Sequence, residues 1–197
     1  RTRRQRQMCI RDRLMMVGLN FRYLPSTIEK IKLIKLNKVG KPNFARFVYE
    51  RWRDGKLMRL NKYPLLMDQP MLWEQSIHHF DLIRYVYNSE IKSVYATTSN
   101  PPWSMYKDDT NVNAILELKN KIIINYVGNW QSNSKSLNFE WRTDCENGII
   151  IQKKQFEDLY YRHFKSKVEK KIKLKKIKMW FDDANLLSVS YTHLRAH

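Results

Sequence analysis

The run Asn111 to Trp130, NVNAILELKNKIIINYVGNW, reads as two strands joined by the short polar turn Lys119-Asn120, because both halves are rich in β-branched and aromatic residues. The same composition recurs on either side. IKSVYATTS (91–99) precedes it, and SLNFEWRTD (136–144) and NGIIIQKK (147–154) follow, the last two linked through Asn147-Gly148. Consecutive strands with links this short are expected to pair antiparallel. The one long link, NPPWSMYKDD from Asn100, exceeds a hairpin turn and is expected to overhang the sheet as a lid or partner contact. Upstream, NFARFVYERW (43–52) alternates with a strand period, and residues 54–68, with Gly55 and Pro64, read as a loop. Pro25-Ser26 opens a helical pattern through Ile28, Ile31 and Ile34 that should end near Asn37 to Gly40, with Gly40 suited to a left-handed stop. The start of LMMVGLNFRY (14–23) reads as a further strand. The expected class is α+β, with an open, mostly antiparallel sheet of about six strands.

At 197 residues, 43% apolar and 13% aromatic, the chain can build a core of ordinary size. No stretch of 18 apolar residues occurs and the arginine-rich start lacks the apolar run of a signal peptide, so no membrane span is indicated and a cytoplasmic setting is expected. Cys9 and Cys145 match no metal spacing and read as free thiols. The net charge of +18 invites a nucleic-acid reading, but its placement argues otherwise. Residues 1–13 hold six Arg and one Asp, and residues 165–178 hold eight Lys and one Glu. A phosphate-tracking groove needs basic and aromatic residues interleaved over a folded surface, so end segments this concentrated read as solvated tails and no nucleic-acid partner is expected. The ends QMCIRDR (7–13) and VSYTHLRAH (189–197) resemble translated adapter read-through at the edges of metagenomic reading frames. Residues 1–13 and 188–197 are therefore expected to be non-native, flanking a domain over 14–164 and a lysine-rich terminal element over 165–187.

One further stretch carries candidate chemistry. WEQSIHHFDLIRY (73–85), wound as a helix at about 100° per residue, places Glu74, His78 and Asp81 within an arc of about 60°. Trp73, Ile77, Phe80, Ile83 and Tyr87 line an adjoining apolar face, and His79 projects away from the stripe as a surface or packing residue. The stripe could be a proton-transfer site, a divalent-metal site or the wet edge of a packed helix. One His and two carboxylates are a thin set for a metal, and none is expected. A His with an ordinary pKa near ~6.5 suits a general base, and Glu74 one turn earlier could fix its tautomer. Asp81 could instead pair with Arg84 or a sheet residue. Trp52, Arg53 and Trp130 could line a sugar site, since aromatic faces and guanidinium forks suit hydroxylated rings, or be core. The sequence has no G-x-G-x-x-G, Walker or G-x-S-x-G pattern.

Two segments resemble a known family. MVGLNFRYLPSTIEKIKLIKLNKVGKPNFARFVYERW (16–52) resembles the segment that follows the nucleotide-binding domain in glucose-fructose oxidoreductase / inositol dehydrogenase (Gfo/Idh/MocA) proteins, with Gly18, Asn20, Arg22 and Pro25 at the positions of its G-x-N-x-R-x-x-P pattern. EQSIHHFDLIRYVYNSEIKSVYA (74–96) resembles that family's substrate helix, with Glu74, His78 and Asp81 at its acidic, His and Asp positions. Glu74 stands where inositol dehydrogenases carry Asp, and Ser76 where many relatives have Gly.

The resemblance implies the C-terminal domain of such a protein, helices on one face of the sheet, with the Rossmann domain and its catalytic lysine absent from a truncated chain. It implies an NAD(P)-dependent oxidoreductase acting on a sugar, sugar derivative or cyclitol, inactive as this piece alone. His78 and Glu74 are then catalytic and Asp81, Trp52, Arg53 and Trp130 substrate-binding, while Asn20 and Arg22 reach NAD or NADP, which the missing domain mainly holds. A homo-oligomer through the sheet is implied too. The alternative is a non-catalytic binding or scaffold module whose basic tail attracts acidic partners.

Overall fold

The computed structural model describes residues 19–58, 60–134 and 136–176. The strand expected at 14–17 and both terminal segments expected to be non-native lie outside them, as does Cys9. Asn20–Tyr23 form a 3-10 turn that leads into α1, Pro25–Lys35. Proline at the first helical position lacks only an N–H that would have gone unused. The left-handed stop falls at Asn37, the near end of the expected range, rather than at Gly40. Asn37 takes the left-handed conformation (φ 53°), while its N–H reaches the Ile34 carbonyl and that of Lys38 the Leu33 carbonyl at 3.1 Å, the paired bonds of a Schellman stop.

β1 (Pro42–Glu50) follows, and then a loop that carries the short 3-10 turn Tyr63–Leu65. A single π turn, Leu72–Ser76, runs directly into α2, Ile77–Tyr87. The remaining strands are β2 (Ile91–Ser99), β3 (Asn111–Leu118), β4 (Ile123–Asn129), β5 (Asn138–Cys145), β6 (Gly148–Gln152), β7 (Tyr160–His163) and β8 (Lys170–Lys171).

The sheet has eight strands in the order β2-β3-β4-β1-β5-β6-β7-β8, two more than expected. Part of the difference lies in the lysine run. Lys170–Lys171 pair with β7, and Ile172 and Leu174 pack on a small cluster of Leu33, Val39, Ile150 and Leu159, so this segment is anchored to the domain. The second departure concerns β4 and β5. Adjacent in sequence, they do not pair, because β1 lies between them, parallel to β4 and antiparallel to β5. The chain from β1 to β2 is long enough to cross the sheet with α2, as a parallel partner requires. All other neighbours are antiparallel.

One face of the sheet presents Ala45, Phe47, Tyr49, Val112, Leu116, Ile124, Tyr126, Phe139 and Trp141, and packs with Leu82, Ile83 and Val86 of α2. The other face carries Arg46 in register with Asn125 and Arg142, and the row continues through Ile115 to Tyr95. The long link after β2 lies on the domain rather than overhanging it. Tyr106 is buried and donates to the Arg53 carbonyl at 3.2 Å, and Trp103 donates to the Gln131 carbonyl at 3.0 Å.

Candidate active site

The quoted helix turns a different face to the core from the one expected, and the π turn before Ile77 shifts the phase of the residues that precede it. Trp73 is 56% and Ile77 36% exposed, whereas the apolar stripe expected from an unbroken helix had both inward. A π turn accommodates one residue more than an α turn, so residues before it fall out of phase with those after it. The buried stripe runs instead through His79, Leu82, Ile83, Val86 and Tyr87. His79 is fully buried, the packing half of its two expected roles.

His78 is half-buried beside the 3-10 turn, its ring 4.9 Å from that of Phe21. Its Nδ1 is buried without a hydrogen-bond partner among the described residues. Burial lowers its pKa from the ordinary value, against the opposing pull of Asp81 and Glu74, so the imidazole is neutral at pH 7. Glu74 does not bond to His78 in this arrangement; its carboxylate accepts the hydroxyl of Tyr63. The sequence offered no sign of Tyr63, which lies in the preceding loop.

Asp81 and Arg22 meet in a two-pronged ion pair, Arg22 Nε donating to Oδ2 at 2.7 Å and Nη2 to Oδ1. This pair, which neither residue's sequence context foretold, clamps the 3-10 turn to α2, and the Arg22 guanidinium also lies 4.9 Å from the Tyr85 ring. Asn20 opens the same turn. Arg22, His78 and Asp81 thus gather where the 3-10 turn meets α2, with Phe21 of that turn against His78.

Trp52, Arg53 and Trp130 form a second group where β1 and β4 end. Trp52 bridges to Gln131, Arg53 lies 3.9 Å over the Trp130 ring, and Trp130 is fully buried, so its ring faces protein on all sides. Only Trp52 of the two tryptophans offers surface, at 39% exposed. Among the described residues no direct contact joins this group to His78, and no group of three His, Cys, Asp or Glu could hold a metal ion. Nor is any described helix long and apolar enough to cross a membrane.

The sequence reading missed a buried polar network beneath the π turn. His79 Nδ1 lies 2.9 Å from the Tyr126 hydroxyl and Nε2 3.2 Å from the Gln75 amide. Tyr126 donates to Ser76 at 2.8 Å, and Ser76 to the Met71 carbonyl at 3.0 Å. The one sign available was position, since His79 begins the i, i+3, i+4, i+7, i+8 stripe that α2 buries.

With the geometry in place, comparison with known proteins gives it a setting. Residues 30–151 match the model of the GFO/IDH/MocA C-terminal domain. The uncharacterized protein y4oX of Sinorhizobium fredii is 30% identical over 101 residues, 49% of this chain and 28% of its own length. Among solved structures, the aldose-aldose oxidoreductase from Caulobacter crescentus superposes with a TM-score of 0.73 at 19% identity, over 94% of this chain and 55% of its own. An inositol dehydrogenase homolog from Azotobacter vinelandii, complexed with NADH and myo-inositol, superposes with a TM-score of 0.70 at 10% identity, over 86% of this chain and 46% of its own. The chain thus spans about half the length of these solved relatives, and at such identities the likeness to them is one of fold. The family match covers well over half of the chain, which belongs to the GFO/IDH/MocA family and carries its C-terminal domain.

Proposed function

We propose that this chain is the substrate-binding and oligomerisation part of an NAD- or NADP-dependent oxidoreductase that acts on a hydroxyl of a sugar, sugar derivative or cyclitol in the cytoplasm. The observation that carries the reading is His78: a half-buried, neutral imidazole whose Nδ1 has no protein partner, at the end of α2 where the family match and the ion-paired turn converge. Oxidising an alcohol requires a base for the hydroxyl proton, and a neutral imidazole is suited to that task. The nicotinamide, when bound, supplies the hydride acceptor. Its main binding elements are assigned to a dinucleotide domain outside this chain, with Asn20 and Arg22 at the junction.

His78 takes the hydroxyl proton. Glu74 stabilises the imidazolium that results, since its charge already raises the His78 pKa. Asp81 holds Arg22, and through it the turn bearing Phe21, so its part in substrate binding is indirect. Trp52 and Arg53 offer an exposed aromatic edge and a cation at the β1 end, while buried Trp130 supports Arg53 from below. Tyr95 and Ile115 stand exposed and in register on the open sheet face, which supports association with a second copy there.

The test uses this domain joined to its dinucleotide domain. His78→Ala should lower kcat by roughly 10²- to 10⁴-fold with cofactor affinity nearly unchanged. Glu74→Gln should cost less and extend activity to lower pH, because losing its charge lowers the His78 pKa further. Normal turnover by His78→Ala would remove the proposed base. Without the partner domain, the chain should show no dehydrogenase activity.

A further inference from the structure

The buried network under the π turn runs in one direction only. Ser76 has a single acceptor, the Met71 carbonyl, so its proton is committed there and its oxygen must accept from Tyr126. The Tyr126 proton is then used, and the phenol oxygen must accept from His79 Nδ1–H. His79 Nε2 therefore bears no proton and accepts from the Gln75 amide nitrogen. That orientation points Gln75 Oε1 at Tyr49, whose hydroxyl donates to it at 3.4 Å. The Tyr49 oxygen in turn accepts from Arg51 Nη1 at 3.3 Å, and a guanidinium can only donate. The chain begins at an obligatory donor and ends at an obligatory acceptor, so no member can reverse alone.

We propose that His79, fixed as the neutral tautomer with its proton on Nδ1, is the positioning residue of this site: its one-way chain from Arg51 to the Met71 carbonyl holds the π turn that presents Glu74 and feeds the first turn of α2 bearing His78. Gln75 and Ser76, both members, sit within the π turn directly after Glu74, and the chain's terminal acceptor, Met71, is the residue just before that turn. A π turn inserted in a helix is a recurring device at functional sites, and it needs support because its geometry is less favourable than that of an α turn. Burial keeps His79 uncharged, which the chain requires, since a second N–H on Nε2 would face the Gln75 amide donors. The inference rests on the reading of Glu74 and His78 as the proton-transfer pair. The His78 titration is set by burial, which lowers it, and by Asp81 and Glu74, which raise it; neutral His79 lies next to it in the helix, and Arg22 on the 3-10 turn pairs with Asp81.

Histidine-selective ¹⁵N labelling of the 197-residue chain tests it without any assay of turnover. Long-range ¹⁵N–¹H spectra should show His79 as the Nδ1–H tautomer, untitrated from about pH 8 down to about pH 5, while the His78 midpoint lies below the ordinary histidine value. In His79→Phe, which keeps a ring beside Phe47 and Tyr49, the His78 midpoint should move by about half a pH unit or more as the turn relaxes and Glu74 shifts relative to His78. In His79→Asn, whose amide N–H can replace Nδ1–H toward Tyr126, the midpoint should return toward the original. An Nε2–H tautomer in the unmodified chain overturns the proposal, and so does a His78 midpoint that is the same in the original, Phe and Asn forms. A normal His78→Ala enzyme would refute the catalytic reading while leaving these spectra as they are, so the two failures are distinguishable.

Discussion

Lys30 is fully buried between α1 and the sheet, its ammonium 3.5 Å from the centroid of the Trp141 ring and 3.5 Å from the Trp141 carbonyl. One hydrogen bond at the outer limit of length serves a group with three donors. Burial therefore lowers its pKa well below the ordinary value, more than the charge of Asp158 can restore. The cation-ring contact is worth about 2 kcal/mol when desolvated, less than the several kcal/mol that removing an ammonium from water costs. Lys30→Met keeps a long apolar stem in the same space, at about 0.8 kcal/mol per buried methylene, and deletes the amine. The methionine form should be the more stable at pH 7.

The pH dependence gives the sharper test. A lysine with a depressed folded pKa binds fewer protons folded than unfolded, so between its folded value and about 10.5 the original chain gains stability as pH rises, by about 1.4 kcal/mol per unit. The methionine form lacks that gain. The buried tyrosines contribute the opposite slope in both proteins and cancel in the difference; Cys145, pushed up to about 12 by burial, does so as well except for the part of its shift that comes from a charged Lys30. Urea denaturation at pH 8.5 and 9.5 should therefore show the stability difference closing by about 1.4 kcal/mol, tenfold in the unfolding constant. Parallel pH profiles, with methionine less stable throughout, would show a charged Lys30 held by the Trp141 ring and refute the reasoning.

The Arg22–Asp81 pair should respond unequally to its two halves. Arg22→Met strands a carboxylate that is 5% exposed and should cost about 3–5 kcal/mol, whereas Asp81→Asn leaves an arginine 36% exposed that water can serve and should cost about 1–2 kcal/mol in thermal or urea melts. The reverse order would mean that the clamp does not hold the turn. Gly148→Ala places a methyl group against the Arg162 carbonyl of β7, backbone that cannot step aside, and should destabilise by about 1–3 kcal/mol or displace β7. An unchanged urea midpoint would mean that β7 is loosely held.

Much of the fold was legible because strand and helix signals are local. The β2 run Ile91–Ser99 has the bounds its residues indicate and the helix opening at Pro25 starts there, while type and spacing marked Glu74, His78 and Asp81 only as candidates. Tertiary structure decided what depends on residues far apart in the chain. The alternation in β1 marks a strand but not its partners, and the sheet places it parallel to β4 because the crossover through α2 carries the chain to the edge strand β2, from which β3 and β4 return antiparallel to one another until β4 lies beside β1. A uniform 100° per residue was the wrong ruler across Leu72–Ser76, where the tertiary network of Ser76, Tyr126, His79 and Gln75 accompanies a π turn. That one inserted residue shifted the phase of Trp73, which is exposed, while within α2 the ordinary helical period sets His79 on the buried face with Leu82, Ile83 and Val86 and leaves His78 beside Phe21. A polar residue reads as surface until its partners are known, and the partners of His79 reach it only when β4 folds beneath the helix.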